Sequence, residues 1–304
     1  MQKCLVLGAG GFIGKNICKS LVDEYHVIAF DRFIPAELEN ISPNIEFIVG
    51  DFVNMKDFTN VLHGVDKVIH LISTTIPSEE TAHIDREVTE NVVPTVRLLE
   101  GMVKENVKEI IFSSSGGTVY GDSGEHKNQV GDALHPICSY GVQKKVIEAY
   151  LEFYGLRYGI NYKVMRISNP YGIGQDLAKT QGVIPIFVHR LLNNMPICVY
   201  GDSVRDYIAI PDLIKGIMAV LKYNGKQHVF NIGSGQVYTL REVISIIEQK
   251  VGAKFETVEY QDFRQCDVEK SILDVEESNE ALGWRAEIGL EQGIEMVVNM
   301  YKEK

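Results

Sequence analysis

KCLVLGAGGFIG, running from Lys3 to Gly14, decides the fold. Lys3–Leu7 is a compact apolar run of strand length. From Phe12 to Val22 the apolar residues Phe12, Ile13, Ile17 and Leu21 recur at three- and four-residue spacing, the period of a helix. Between the two stand Gly8, Gly11 and Gly14. The first two let the backbone turn tightly and approach a pyrophosphate. The third lets the helix lie close on the strand, and the helix N-terminus adds N–H donors and positive potential. A glycine-rich turn without a ligand is the plain alternative, and the pattern alone is weak. Its place between a strand and a helix favours nucleotide binding.

Further along, His26–Phe30, Glu46–Val49, Lys67–Ile72 and Glu109–Phe112 read as strands. The last two are rich in β-branched residues and lack one-sided alternation, so both their faces should be buried. Arg86–Glu105 between them is helical in pattern. Strands alternating with helices predict a parallel sheet covered by helices, and right-handed crossovers make it a doubly wound α/β fold. The second half is less regular. Asn169–Gln181, with Pro170, Gly172, Gly174 and the nearby Gly182, reads as a loop. Ile184–Asn193 predicts a helix, Val199–Tyr200 a strand, Pro211 the start of a helix reaching about Lys222, and Val229–Ile232 a strand. Thr239 with Glu242 three residues on is a capping box. The expected organisation is a first domain over 1–167 and a smaller C-terminal α/β domain over 168–304, with the helix near 211–223 returning to the first.

The 304 residues are enough for two domains at roughly 150 each. Charged residues at 23% and hydrophobic ones at 45% exclude a disordered chain. The net charge of −11 argues against nucleic acid as partner. No apolar run approaches the roughly 18 residues of a membrane span, so no membrane insertion is expected. The five cysteines, Cys4, Cys18, Cys138, Cys198 and Cys266, form no Cys-x-x-Cys pair, which points to no metal site, no disulfide framework and a reduced cytoplasmic setting.

Asp31 ends the second strand about 20 residues beyond the glycines, where an acid accepts both ribose hydroxyls of NAD and repels the extra phosphate of NADP. Arg32 beside it works against that selectivity. Asp51, in Gly50-Asp51-Phe52 after the third strand, is either a partner of the adenine amine or part of a plain turn. Tyr140 and Lys144 stand four apart, which puts phenol and ammonium on one face of a helix. A nearby ammonium favours the phenolate of a group whose ordinary pKa is ~10, fitting Tyr140 for acid/base work. Tyr-x-x-x-Lys is common by chance. It gains meaning after the glycine turn and after Ser113–Gly121, a serine-rich strand end where open α/β sheets bind ligands.

These segments, with His70–Thr74, Asn91, Arg166–Gly172, Tyr200–Ile208, Asn231–Gly235, Arg264–Asp267 and Leu282–Trp284, run in order along almost the whole chain. The chain resembles the extended short-chain dehydrogenase/reductases, and among them the nucleotide-sugar epimerase/dehydratase group typified by UDP-galactose 4-epimerase. The resemblance implies a Rossmann domain holding NAD and a second domain holding a nucleotide diphosphate sugar for polysaccharide synthesis. It implies that Tyr140 is the acid/base and that Lys144 binds the nicotinamide ribose and lowers the tyrosine pKa. Phe12, Ile13, Phe52, Leu71, Ser73 and Asn91 join Gly8, Gly11, Gly14, Asp31, Arg32 and Asp51 around the cofactor. Asn169, Val183, Arg205, Arg264 and Asp267 contact substrate, the arginines clamping its phosphates.

Counting along the strand puts the bridging hydroxyl at Ser115; counting back from Tyr120-Gly121 leaves Thr118 as its rival. Dehydratases of the group carry Asp-Glu beside their threonine. This chain has Gly116-Gly117, which argues against 4,6-dehydration. Carbon-4 epimerisation is the expected activity, with reduction of a 4-keto-6-deoxy nucleotide sugar as the alternative and a silent NAD-binding scaffold behind both. Related proteins pair two long helices into a dimer interface. Arg86–Glu105 and Tyr140–Tyr158, with Val142, Val146, Ile147 and Tyr150 beyond one core face, predict a homodimer.

Overall fold

The computed structural model describes residues 1–77, 84–175 and 182–302. It comprises two compact units, each built from several stretches: Met1–Ser114, Ser139–Met165 and Val220–Val229 in the first, Ser115–Cys138, Arg166–Ala219 and Phe230–Lys304 in the second. The chain opens with β1 (Lys3–Leu7), α1 (Phe12–Leu21), β2 (His26–Asp31), β3 (Ile45–Val49), α2 (Thr59–Leu62), β4 (Lys67–His70), α3 (Ile84–Glu87), α4 (Val93–Lys104), β5 (Glu109–Ser115) and α5 (Ser139–Tyr158). It continues with β6 (Asn161–Ile167), β7 (Asn169–Tyr171), α6 (Val183–Leu192), β8 (Ile197–Tyr200), β9 (Val204–Ala209), α7 (Ile210–Lys222) and β10 (Val229–Ile232). The remainder holds β11 (Val237–Thr239), α8 (Leu240–Val251), β12 (Val258–Gln261), β13 (Lys270–Ser271), α9 (Glu276–Leu282) and α10 (Leu290–Lys302).

Seven strands form one sheet in the order β10-β6-β5-β4-β1-β2-β3. The β1 pairs with β2 and β4, and the β2–β3 and β4–β5 pairs, are parallel. The chain winds outward from β1 through β3, then returns to start again at β4 beside β1. That reversal makes the carboxyl ends of β1 and β4 the switch point, where doubly wound sheets bind ligands. Leu5, Leu7, Ile28, Phe30, Val68, Ile110 and Phe112 from the strands pack with Leu98, Leu99 and Met102 of α4 and Ile147, Leu151 and Tyr154 of α5. Burial of each such side chain contributes about 1.5–3 kcal/mol.

The helix expected over Arg86–Glu105 is interrupted. Residues Val88–Val92 form a π turn between α3 and α4. Pro94 follows at the start of α4 and has no N–H to donate backwards, so the ladder shifts register just before it. The strand expected over Lys67–Ile72 ends at His70, and that expected over Glu109–Phe112 runs on to Ser115. Of the loop expected over Asn169–Gln181, Asn169–Tyr171 is strand β7, and residues 176–181 lie outside those described.

In the second unit β9 carries β11 antiparallel and β13 and β7 parallel, and β8 pairs with β12. Its core gathers Ile184, Phe187, Val188 and Leu191 of α6, Val243, Ile244 and Ile247 of α8, and Ile294, Val297 and Val298 of α10. The capping box of α8 is formed: Thr239 Oγ1 accepts from the Glu242 amide at 3.2 Å and the Glu242 carboxylate accepts from the Thr239 amide at 2.7 Å. Among the described residues no helix is long and apolar enough to cross a membrane.

Candidate active site

The glycine turn is built without spare volume. Gly8 sits at φ +91°, a left-handed conformation that favours glycine, and its amide donates to Phe30 O at 2.9 Å. A Cβ on Gly14 would stand 1.9 Å from the Gly8 carbonyl oxygen, so only glycine lets α1 lie this close to β1. Gly11 precedes α1 and offers no side chain to cap it, and the first turn holds no acid. The positive end of a ten-residue helix is thereby left for an external anion. This donor set fits a dinucleotide pyrophosphate. Phe12 and Ile13 of that turn are half-buried.

Asp31 stands at the end of β2, where Oδ2 accepts from the Gly10 amide at 2.9 Å and Oδ1 from the Arg32 amide at 2.7 Å. The carboxylate is thus tied to the glycine turn while keeping lone pairs for ribose hydroxyls. Gly10, which the three-residue glycine spacing passes over, belongs to the site: a Cβ there would meet Phe33 O at 2.4 Å. The Gly8-x-Gly10 pairing was the available signal. Asp51 accepts from Asn54 Nδ2 at 2.9 Å and from the Val53 amide at 3.0 Å, bonds, the first above all, that hold its carboxyl below the usual range. The Phe52 ring is buried against Phe58 and His70, so at a cofactor site it offers backbone and not side chain.

The loop after β4 is pinned from two helices. Asn91, in the π turn, accepts from the Thr74 amide at 2.9 Å and donates to Thr74 Oγ1 at 2.7 Å, while Gln143 of α5 donates to Thr75 Oγ1 at 2.7 Å. Leu71 extends the β1 pairing, its amide donating to Leu7 O, and Ser73 Oγ donates to Thr75 O at 3.1 Å. His70 is buried, and burial drives its imidazole down to about 3, with Lys144 adding to the effect. Thr95 Oγ1 donates to Asn91 O at 2.7 Å, so the 2.9 Å contact to His70 Nε2 has the imidazole as donor and the ring is neutral.

Tyr140 and Lys144 lie on the first turns of α5, whose start is fixed by Ser139 Oγ donating to Glu87 at 2.6 Å. The Lys144 ammonium donates to Ser113 O at 2.8 Å and stands 4.7 Å from the Phe112 ring centre and 5.5 Å from that of Tyr140. Lys144 is 3% exposed. Burial brings its ammonium down to about 7, against the opposing pull of Glu148. Tyr140 is half-buried.

In the second unit, Ser115 closes β5, and the Gly116 amide donates to Ile167 O at 2.8 Å. A Cβ on Gly116 would meet Leu273 Cδ1 at 2.6 Å and the Arg166 carbonyl oxygen at 3.0 Å, so Leu273 must give way to any side chain there. Gly117 is open: its missing Cβ would lie 3.9 Å from Ser115 Oγ and 3.8 Å from Asn169 Oδ1, which brings those two side chains to one place. Thr118 Oγ1 is buried with no partner among the described residues. Asn169 Nδ2 donates to Asp206 O at 2.9 Å. Arg205 spends much of its guanidinium on the backbone, donating to Val204 O and Glu269 O at 2.9 Å each and to Val268 O. Arg264 stacks on Tyr200, 4.0 Å from the ring centre, and its amide donates to Asp267 Oδ2 at 3.3 Å. Val183 opens α6 and is half-buried.

The profile of the NAD dependent epimerase/dehydratase family matches residues 4–233. A dTDP-4-dehydro-6-deoxyglucose reductase of Escherichia coli is 36% identical, the alignment covering 99% of this chain and 98% of that one. A putative UDP-glucose 4-epimerase of Methanocaldococcus jannaschii is 34% identical over 98% of both. The crystal structure of a UDP-glucose 4-epimerase of Thermotoga maritima with UDP-glucose superposes with a TM-score of 0.92, at 31% identity and 99% coverage of each chain.

Proposed function

Since the chain belongs to the NAD dependent epimerase/dehydratase family, we propose that it epimerises a nucleotide diphosphate sugar at carbon 4 through a transient 4-keto sugar. The observation that carries this is the buried Lys144 set one helical turn from Tyr140. NAD, when bound at the glycine turn and Asp31, supplies reversible hydride acceptance. Tyr140 as phenolate takes the proton of the carbon-4 hydroxyl and gives it back after the keto sugar has turned over. The Lys144 charge stabilises that phenolate and offers donors to the nicotinamide ribose. Asp31 accepts from the adenosine ribose, and Asn91 keeps the Ser73–Thr75 loop in shape. Residues of the second unit hold the nucleotide sugar: Asn169, Val183 and Asp267 line it, and the Arg264 and Arg205 guanidiniums clamp its phosphates, Arg205 also bracing strand β9 through its bonds to backbone carbonyls.

One observation favours a second reading, reduction of a 4-keto-6-deoxy sugar: the Escherichia coli relative bears the name of such a reductase. The two differ in stoichiometry. An epimerase interconverts UDP- or dTDP-sugars with co-purified or catalytic NAD alone. A reductase consumes one NAD(P)H per turnover, seen as loss of nicotinamide absorbance. The epimerase reading is falsified if no sugar of a UDP, dTDP and GDP panel is interconverted without added reduced cofactor while a 4-keto sugar is reduced with it.

The hydroxyl that bridges sugar and tyrosine is Ser115 or Thr118. The place at Gly117 shared with Asn169 favours Ser115, and the unpartnered Oγ1 favours Thr118. Ser115→Ala and Thr118→Ala are expected to differ in kcat by about tenfold or more, the lower end for losing a group that positions a transferred proton. Equal and mild losses would exclude both.

The chain acts as a homodimer in the cytoplasm, where its five cysteines, none in a disulfide, stay reduced. On α5 one face, Ile147, Glu148, Leu151 and Tyr154, is buried. The opposite stripe, Val142, Val146, Tyr150 and Phe153, is exposed, Phe153 to 52%. Ile147, expected on the free face, is core. A second copy of this helix is the natural cover for such a stripe. Light scattering at micromolar concentration is expected to give twice the 34.1 kDa chain mass, and Val146→Glu with Phe153→Glu to halve it.

A further inference from the structure

Tyr140, Lys144 and Glu148 follow one another at four-residue spacing along α5, so they share a face. Two neighbouring residues of β5 hold the last two. The Ser113 carbonyl accepts from the Lys144 ammonium, and the buried Ser114 hydroxyl donates to Glu148 Oε1. Glu148 is itself buried, and a carboxylate in such a place calls for polar partners. We propose that Glu148, fixed by Ser114, is a positioning residue that keeps Lys144 charged for its work beside Tyr140. This rests on the reading of Lys144 given above.

Among the described residues, five groups face Lys144. On α5 they are Tyr140 and Glu148; on β4, His70; on β5, the Phe112 ring and the Ser113 carbonyl. His70 is neutral, since its imidazole is driven down to about 3. The aromatic ring and the carbonyl attract an ammonium only as partial charges. Glu148 is therefore the one formal opposite charge among them. Burial alone takes the ammonium down towards neutrality, and Glu148 acts against it. With Glu148 neutralised, the Lys144 midpoint falls further, so a smaller share of Lys144 carries the charge that partners the phenolate of Tyr140.

Carbon-13 NMR of protein labelled at lysine Cε reads this directly, with the Lys144 resonance identified by its loss in Lys144→Met. The wild-type resonance is expected to titrate near about 7. Glu148→Gln keeps the shape and still accepts from Ser114, yet should lower that midpoint by about one pH unit, the lower end for losing one nearby opposite charge. Glu148→Asp keeps the charge and should recover most of the difference. An unchanged midpoint in Glu148→Gln, with wild-type circular dichroism and melting, overturns the proposal and leaves Glu148 a mere acceptor for Ser114. Should Glu148→Gln not fold, Ser114→Ala carries the same test. Loss of the hydroxyl that holds one carboxylate oxygen loosens the placement of the charge and should lower the midpoint by a smaller amount. A midpoint that stays or rises there overturns the proposal equally. The titration needs neither cofactor nor sugar, so a failure of sugar interconversion would count against the function and not against this coupling.

Discussion

Tyr140→Phe is expected to lower turnover by roughly 10²–10⁴, the usual scale for losing a positioned acid/base, with NAD affinity nearly unchanged. The ring remains, so the packing beside Lys144, whose ammonium stands 5.5 Å from the ring centre, is kept. Lys144 retains its bond to the Ser113 carbonyl, and the glycine turn and Asp31 are untouched. Only the phenol oxygen, proposed above to exchange a proton with the carbon-4 hydroxyl, is gone. The loss should therefore fall on kcat and on kcat/KM alike, as for an interaction made in the transition state. NAD binding by titration calorimetry on the same preparation separates this from misfolding. Near-wild-type turnover in an NAD-loaded Tyr140→Phe protein would sink the proposed chemistry, whichever direction the sugar is converted.

That pair was legible because its geometry is local. A spacing of four on a helix fixes a shared face with no knowledge of the tertiary structure, as does the Thr239–Glu242 cap of α8. The glycine turn was legible for the same reason, between a strand and a helix whose periods are unmistakable. What depends on distant partners was less so. The π turn at Val88–Val92 arises where Pro94 breaks a pattern that otherwise reads as one helix. Strand β13 is two residues long and exists because Lys270 and Ser271 find Val204 and Arg205, a pairing no local pattern announces.

The candidate site divides along the same line. Gly10 escaped the spacing of three because its importance comes from Phe33 and Asp31, which fold over it. Arg205 looked like a free phosphate clamp, since a sequence shows a charge and not the Val204, Val268 and Glu269 carbonyls that engage it. Phe52 follows a strand end like its neighbour Asp51, yet its ring turns inward to Phe58 and His70. Glu148 passed as one more acid on a long helix until burial and the Ser114 hydroxyl marked it.

The second large effect is expected from a single methyl group. In Gly14→Ala the new Cβ would fall 1.9 Å from the Gly8 carbonyl oxygen and 2.8 Å from Ala9 Cα. Both are backbone atoms of the turn, so no side chain can rotate aside to relieve the overlap. The N-terminus of α1 must lift off β1, carrying away the amides that would face a pyrophosphate. Forcing a methyl into a packed site costs about 1–3 kcal/mol, and the upper end fits a backbone collision. Felt at the phosphate cradle, that corresponds to about a hundredfold weaker NAD binding, with a lower melting temperature beside it. Two comparisons give the result its meaning. Gly11→Ala meets only Gly8 O, at 3.3 Å, and should be far milder. Gly131→Ala meets nothing within 4 Å and has no positive φ, so it should leave both binding and melting alone or raise stability slightly. NAD affinity and melting in Gly14→Ala equal to those of Gly131→Ala would mean that this turn does not hold the cofactor's phosphates and that the dinucleotide must be sought elsewhere on the sheet.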